Sequence, residues 1–110
     1  MATEYSDAFD KYRKNRVELS TFKYGPASRN FPNNVDALAT AQKCIDKYKE
    51  TKNKEYLCDA ANYLMFEFMY PKLEGAYFKS TDSNESAGIV GMSVKEMEDF
   101  KDEDSTYIPG

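Results

Sequence analysis

The sequence predicts a small all-α protein, a single domain over residues 1–110 that is built on an antiparallel helical hairpin. Two stretches, Val35–Thr51 and Tyr56–Tyr70, repeat apolar residues at the three- and four-residue spacing of helices. Only the polar turn Thr51–Lys54 separates them, and two helices joined so closely fold back on each other. The length of 110 residues suits one domain with a modest core.

The first element is predicted to be a short helix over Asp7–Leu19. Ser6 is a suitable N-cap, because its hydroxyl can accept from the free N–H groups of the first turn. The preceding residues 1–5 are expected to be flexible. Four residues make this helix basic: Lys11, Arg13, Lys14 and Arg16. Such charges on a short amphipathic helix are typical of a solvated face, so we expect no direct nucleic-acid binding.

The stretch Ser20–Asn33 is predicted to be a loop, because Gly25-Pro26 and Phe31-Pro32 interrupt regular structure. We expect this loop to lie against the domain, since it contains three aromatic residues, Phe22, Tyr24 and Phe31. Arg29 stands among small residues and is suited to contact an anion or a carboxylate.

The helix over Val35–Thr51 is the clearest by pattern, and Asn34 is its predicted N-cap. Cys44 on this helix and Cys58 on the next are expected to be neighbours across the hairpin. Helix axes lie about 8–10 Å apart, which usually exceeds the reach of a disulfide. We therefore expect two reduced cysteines that pack as small apolar side chains.

The helix over Tyr56–Tyr70 is apolar on nearly every side, which predicts burial on several sides, and Pro71 ends it. Three polar residues interrupt it: Asp59, Asn62 and Glu67. The favoured interpretation is that they bind backbone groups of the segment after Pro71, because buried polar groups need partners. Two alternatives stay open, that they line a ligand or partner pocket and that they face water.

The segment Pro71–Met92 is predicted to be irregular but ordered. Thr81–Ser86 is rich in oxygen acceptors but lacks the residue spacing of a calcium loop, so we expect no metal there. Ser93–Glu96 reads as a capping box that opens a short last helix, which should end near Lys101. Residues 103–110 are expected to be flexible.

The composition argues against an enzyme. The sequence contains no His, which removes the usual general base near neutral pH and the commonest zinc ligand. Two Cys cannot complete a structural zinc site, and the phosphate-binding and zinc-protease motifs are absent from the sequence. We therefore predict no catalytic residue, no cofactor and no metal.

The expected location is the cytoplasm. The first residues do not read as a signal peptide, and no run of about 18 apolar residues suggests a membrane helix. Aromatic residues make up 15% of the chain, with nine Tyr and seven Phe, which leaves homo-oligomerisation open.

Charge is distributed unevenly along the chain. Residues 1–54 carry 11 Lys and Arg against 7 Asp and Glu, whereas residues 55–110 carry 4 against 12. An acidic surface near the C-terminus is the predicted partner-binding site, because it could occupy a basic channel; the alternative is a surface that only keeps the protein soluble. The six residues of this predicted acidic surface are Glu96, Glu98, Asp99, Asp102, Glu103 and Asp104.

Two segments carry a resemblance to known proteins, Tyr24–Pro71 and Ala76–Ser86, which reads AYFKSTDSNES. Over about residues 20–90 the chain resembles a group of small proteins encoded by phages and prophages of Gram-positive bacteria. That group has no assigned activity, so no site residue is carried over. By analogy, the resemblance implies an anti-CRISPR-like, stoichiometric inhibitor of a host defence system. Its partner would be a host protein or a protein–nucleic-acid complex in the host cytoplasm.

The alternative function is binding of a small molecule, for example a nucleotide, in an aromatic pocket. The predicted ligand-binding residues are Tyr24, Arg29, Asn62 and Lys79.

Overall fold

The computed structural model describes residues 4–92 together with Lys95, Glu96 and Glu98. Between residues 4 and 69 the chain forms four α-helices: α1 (Asp7–Tyr24), α2 (Ala27–Asn30), α3 (Ala37–Thr51) and α4 (Glu55–Met69). Residues 4–92 contain no β-strand, and an isolated antiparallel bridge joins Ile89 to Met92. The prediction of an all-α protein is confirmed.

Helix α1 begins as predicted but ends five residues later. The hydroxyl of Ser6 accepts from the N–H of Phe9 at 3.0 Å, which confirms the N-cap. The segment Ser20–Tyr24 contains neither Gly nor Pro, so the helix continues to Gly25, where φ is 88°. The N–H of Gly25 donates to the carbonyl of Thr21 at 2.9 Å and closes the last turn. The predicted loop is wrong over these five residues.

The rest of the predicted loop contains the single-turn helix α2 and a cis peptide bond between Phe31 and Pro32. Phe31 is only 8% exposed and belongs to the core, which confirms the expectation that this part lies against the domain. Phe22 and Tyr24 are exposed, so for them the expectation is wrong. Both are on the last turn of α1 rather than in a loop.

Helix α3 is capped by Asp36, two residues after the predicted Asn34. The carboxylate of Asp36 accepts from the N–H of Ala39 at 3.0 Å. Asn34 instead donates its side-chain amide to the carbonyl of Arg29 at 3.1 Å, in the turn that follows α2. Asn34 and Asp36 are both suitable N-cap residues. Because the side chain of Asn34 binds in the turn after α2, Asp36 caps α3 instead.

Helices α3 and α4 pack against each other and are joined by residues 52–54. Lys52 takes the left-handed conformation, with φ of 66°, and its N–H donates to the carbonyl of Tyr48. The antiparallel orientation of this hairpin stays a prediction. Cys44 is half-buried, Cys58 is buried, and neither forms a disulfide.

The core lies where α2, α3 and α4 meet. The rings of Phe31 and Phe66 stack with centroids 4.7 Å apart, and Tyr63 meets both edge-on at 6.2 Å. Ala37 completes the buried cluster. The prediction that α4 is buried on several sides holds only in part, because Leu64, Phe68 and Met69 are exposed.

The chain divides into two units, one that ends at Ala76 and one that begins at Tyr77. Helices α1–α4 belong to the first unit. In the second, Asp82 accepts backbone bonds in a turn, and Lys95, Glu96 and Glu98 have helical backbone. The predicted capping box at Ser93 lies outside the described residues, as do residues 1–3 and 103–110 of the predicted flexible ends. A single domain over residues 1–110 stays a prediction.

No helix in the described part of the chain is long and apolar enough to cross a membrane.

Candidate functional site

A row of polar contacts joins α4 to α1. The guanidinium of Arg16 binds the carboxylate of Asp59 through two bonds, Nε to Oδ1 at 3.0 Å and Nη2 to Oδ2 at 3.2 Å. Its remaining nitrogen, Nη1, lies 3.6 Å from a carboxylate oxygen of Glu55. The hydrogen bonds that Arg16 donates to Asp59 raise the pKa of the Arg16 guanidinium above its ordinary value.

Asn62 lies one turn further along α4 and is 5% exposed. Its Nδ2 donates to the backbone carbonyl of Arg13 at 3.0 Å, and its Oδ1 accepts from Nη1 of Arg13 at 3.4 Å. Arg13 also binds Asp10 at 2.7 Å, and Asp10 accepts from the hydroxyl of Tyr5 at 2.5 Å. Tyr5 is thereby tied to α1, although it was expected to be flexible.

These contacts correct two sequence-based interpretations. Asp59 and Asn62 were expected to bind the segment after Pro71, but both contact α1. Arg13 and Arg16 were expected on a solvated face, but they bind Asn62 and Asp59 of α4. The sequence did contain a signal for these contacts. Arg13 and Arg16 are three residues apart on α1, and the partners Asn62 and Asp59 are three residues apart on α4, so each set lies on one helix face. Glu67 was interpreted correctly, because its carboxylate accepts from the N–H of Lys72 at 3.0 Å.

A pocket of about 220 Å³ opens beside this row, between α1 and α4; we call it the α1–α4 pocket. Two aromatic side chains of the core, Tyr63 and Phe66, form part of its wall, and Tyr24 also lines it. Burial raises the pKa of the Tyr63 hydroxyl, which keeps it neutral. The other lining residues come mainly from α1 and include both charged and apolar side chains: Arg16, Val17, Leu19, Ser20, Lys23, Asp59 and Asn62.

The four predicted ligand residues are only partly brought together. Tyr24 and Asn62 line the α1–α4 pocket, although both polar groups of the Asn62 side chain are already engaged. Arg29 does not line it, and donates instead to the carbonyl of Tyr24 at 3.4 Å. Lys79 belongs to the second unit. Sequence reasoning missed Lys23 in this pocket, because it treated residues 20–33 as a loop.

A larger pocket of about 590 Å³ lies between the first half of α1 and the start of α4. Its lining is more apolar and includes Phe9, Tyr12, Leu57 and Cys58, with Arg16, Lys54 and Glu55 as its charged residues.

The described part of the second unit exposes large apolar side chains. Tyr77 is 86% and Phe78 is 80% exposed, and Val90 is fully exposed. The residues from 77 to 87 are all exposed and form no helix or strand. Asp82 and Glu85 lie in the turn of this segment.

The predicted acidic surface is described at two of its six positions. Glu96 and Glu98 are exposed. Asp99, Asp102, Glu103 and Asp104 lie outside the described residues. Within the described part of the chain, no group of three or more Cys, Asp or Glu side chains could hold a metal ion.

Comparisons of this chain with protein-family models, curated proteins and solved structures gave no match.

Proposed function

We propose that this protein is a phage-encoded, stoichiometric inhibitor of a host defence system, anti-CRISPR-like in its mode of action. It acts by binding a host protein or protein–nucleic-acid complex. The observation that carries the proposal is the exposed apolar segment of the second unit, which includes Tyr77, Phe78 and Val90. Large apolar groups held in water favour a partner that buries them, and Tyr is among the residues that contribute most to interfaces.

The charge of the same part of the chain indicates the kind of partner surface. Residues 77–110 carry 3 Lys against 8 Asp and Glu. Such a segment complements a basic surface, for example the channel in which a nuclease holds nucleic acid. Apolar side chains supply contact area, and the carboxylates exclude partners of the wrong charge. This mode of action needs no catalytic group, in keeping with a sequence that contains no His.

Phage plating on a host with an active defence system tests the proposal. Expression of the wild-type protein should restore plaque formation on the defended host and leave an undefended host unchanged. The variant Tyr77→Ala/Val90→Ser should lose most of this effect, because it removes exposed apolar area from the second unit. Phe22→Ala is the matched control, since Phe22 is an exposed aromatic residue of the first unit.

A variant with the acidic surface neutralised tests the charge argument separately. It changes Glu96, Glu98 and Glu103 to Gln, and the three Asp of this surface to Asn. The association should weaken and lose its dependence on salt. Equal plating with and without the protein on a panel of defended hosts would refute the inhibitor function. Full activity of the neutralised variant would refute the charge mechanism alone.

A further inference from the structure

We propose a second binding activity, independent of the inhibitor function: the α1–α4 pocket binds a small aromatic anion, a planar ring joined to a carboxylate or phosphate.

The wall of the pocket is already rigid. Tyr63 and Phe66 contact each other edge-on, and both contact the buried ring of Phe31. Because these contacts fix both side chains, a ligand ring placed against them would order little additional structure on binding. Tyr24 is exposed and lines the same pocket, so its ring can cover a ligand from the solvent side. A planar ligand fits this arrangement better than a branched one.

The charge in the pocket favours an anion. Arg16 and Asp59 bind each other through two hydrogen bonds, so the two charges largely compensate. Lys23 also lines the pocket and forms no ion pair with any described residue. The uncompensated charge in the lining is therefore positive. The hydroxyl of Ser20 adds a hydrogen-bond donor for an anionic oxygen.

The size of the pocket limits the ligand. Its volume of about 220 Å³ lies below the range of about 300–1,000 Å³ that is typical of drug-sized ligands. One ring system and one anionic group can be accommodated, and a larger ligand would extend into solvent. Two chemical sources carry these two groups, aromatic carboxylates and nucleoside monophosphates, and the ribose of the latter would extend into solvent.

Calorimetric titration of the full chain with four probes tests this inference. The probes are 4-hydroxybenzoate, adenosine monophosphate, the uncharged nucleoside adenosine, and inorganic phosphate. At least one of the two aromatic anions should bind more tightly than adenosine and phosphate, and the better of the two identifies the source. Amide chemical-shift changes should centre on α1 residues 16–24 and on Asn62 and Tyr63.

Two variants and a control separate the contributions. Lys23→Gln should weaken binding of the anion about tenfold and leave adenosine unaffected. Tyr24→Ala should weaken both. Lys14→Gln is the matched control, because Lys14 is an exposed cation of the same helix that lines neither pocket. Since Lys23 and Tyr24 are exposed, these variants should unfold at the wild-type temperature.

Three results would overturn the inference. These are no binding of either aromatic anion at millimolar concentration, equal affinity for Lys23→Gln and the wild type, and shift changes centred on Phe9 and Tyr12 in the other pocket. Loss of plating activity in Tyr77→Ala/Val90→Ser with unchanged ligand affinity would show that the two activities are separate.

Discussion

Asn62 illustrates how one buried polar residue fixes the contact between two helices. Its amide supplies a donor and an acceptor, and both are used on Arg13 of α1. A residue with one of these functions, or with neither, would remove one or both hydrogen bonds between α4 and Arg13.

Replacement of Asn62 by Ala should therefore lower the free energy of unfolding by about 1–3 kcal/mol, because it removes two hydrogen bonds, one of them to a charged group. Urea unfolding monitored by circular dichroism measures this change. Asn33→Ala is the control, because Asn33 is exposed and surface substitutions usually stay within about 0.5 kcal/mol. Equal losses of unfolding free energy in both variants would mean that the hydrogen bonds to Arg13 contribute little to stability.

The two thiols and the Tyr63 hydroxyl should make the folded protein less stable at alkaline pH. Burial raises the pKa of Cys44 and of Cys58 above the ordinary value of 9.0, and that of Tyr63 above 10.0. At a pH between the ordinary pKa of each group and its raised pKa, the folded state keeps a proton that the unfolded state has lost. The folded state therefore binds more protons above pH 9, and stability falls as pH rises.

We expect the urea midpoint to be flat from pH 7 to 8.5 and to decline above pH 9. Cys58→Ala should reduce the decline, since it removes one of the titrating groups, and Cys44→Ala should act in the same direction. Midpoints measured at each pH give the result. A midpoint that rises above pH 9 would contradict the sign of these pKa shifts.

At the scale of the helices, the Arg16–Asp59 pair is the charged contact that links α1 to α4 through two bonds. Asp59 is mostly buried, but about a third of the Arg16 side chain is in contact with solvent, which screens the attraction.

A double-mutant cycle with Arg16→Ala and Asp59→Ala should give a coupling free energy of about 1 kcal/mol, at the upper end of the values for exposed pairs. Chemical denaturation of the four proteins measures it. The exposed pair Lys47–Glu50, with a separation of 3.6 Å, provides a control cycle with a smaller coupling. A coupling near zero for Arg16–Asp59 would show that other contacts hold α1 in place.

The end of α1 depends on a glycine for two reasons. At Gly25 the backbone has φ of 88° and ψ of −179°, a region that is open to little besides glycine. The guanidinium of Arg29 also occupies the space that a Cβ would need, although this exposed and flexible side chain is able to move aside.

Gly25→Ala should destabilise the protein by about 1–3 kcal/mol, the usual cost of such a backbone conformation. The double variant Gly25→Ala/Arg29→Ala tests the two causes separately. If Gly25→Ala lowers the stability less in the Arg29→Ala background than in the wild type, the collision contributes. If it lowers the stability equally in both backgrounds, backbone strain accounts for the whole effect. Thermal unfolding of the three variants provides the data.

Sequence reasoning was most successful where local pattern decides the structure. The helices α3 and α4 were predicted to within two residues at each end, because apolar periodicity and Pro71 act locally. The end of α1 was missed because the loop was predicted to begin at Ser20, five residues before the first strong breaker, Gly25. The partners of Asn62 were missed because residues 13 and 62 are 49 positions apart. Contacts over such a distance depend on tertiary packing, which periodicity does not specify.

At the scale of the whole molecule, the buried residues among those that the structure describes lie in the first unit. The buried hydrophobic residues among those described run from Phe31 to Phe66, and Asn62 lies within the same range. The described part of the second unit contributes turns and exposed side chains. The first unit therefore gains more free energy of folding from apolar burial than the described part of the second unit.

A fragment of residues 1–76 should accordingly retain the helical circular dichroism of α1–α4 and unfold cooperatively. Its urea midpoint should stay close to that of the full chain, since no buried residue of the described part has been removed. A fragment of residues 1–54 is the control, and it should be unfolded because it lacks α4 and with it Phe66. A broad, non-cooperative transition of the longer fragment would show that residues after 76 are needed for the fold.

The exposed segment from Tyr77 has a practical consequence as well. Proteases need an extended, accessible chain, and residues 77–87 offer one with no helix or strand to unfold. Among the sites in the described part of the chain, chymotrypsin, which cuts after aromatic residues, should therefore cleave the free protein first at Tyr77 or Phe78. A bound partner that covers these residues would slow the cut. The rate of this cleavage therefore measures how much of the protein is bound to a partner. It can be followed on a gel before the partner has been identified.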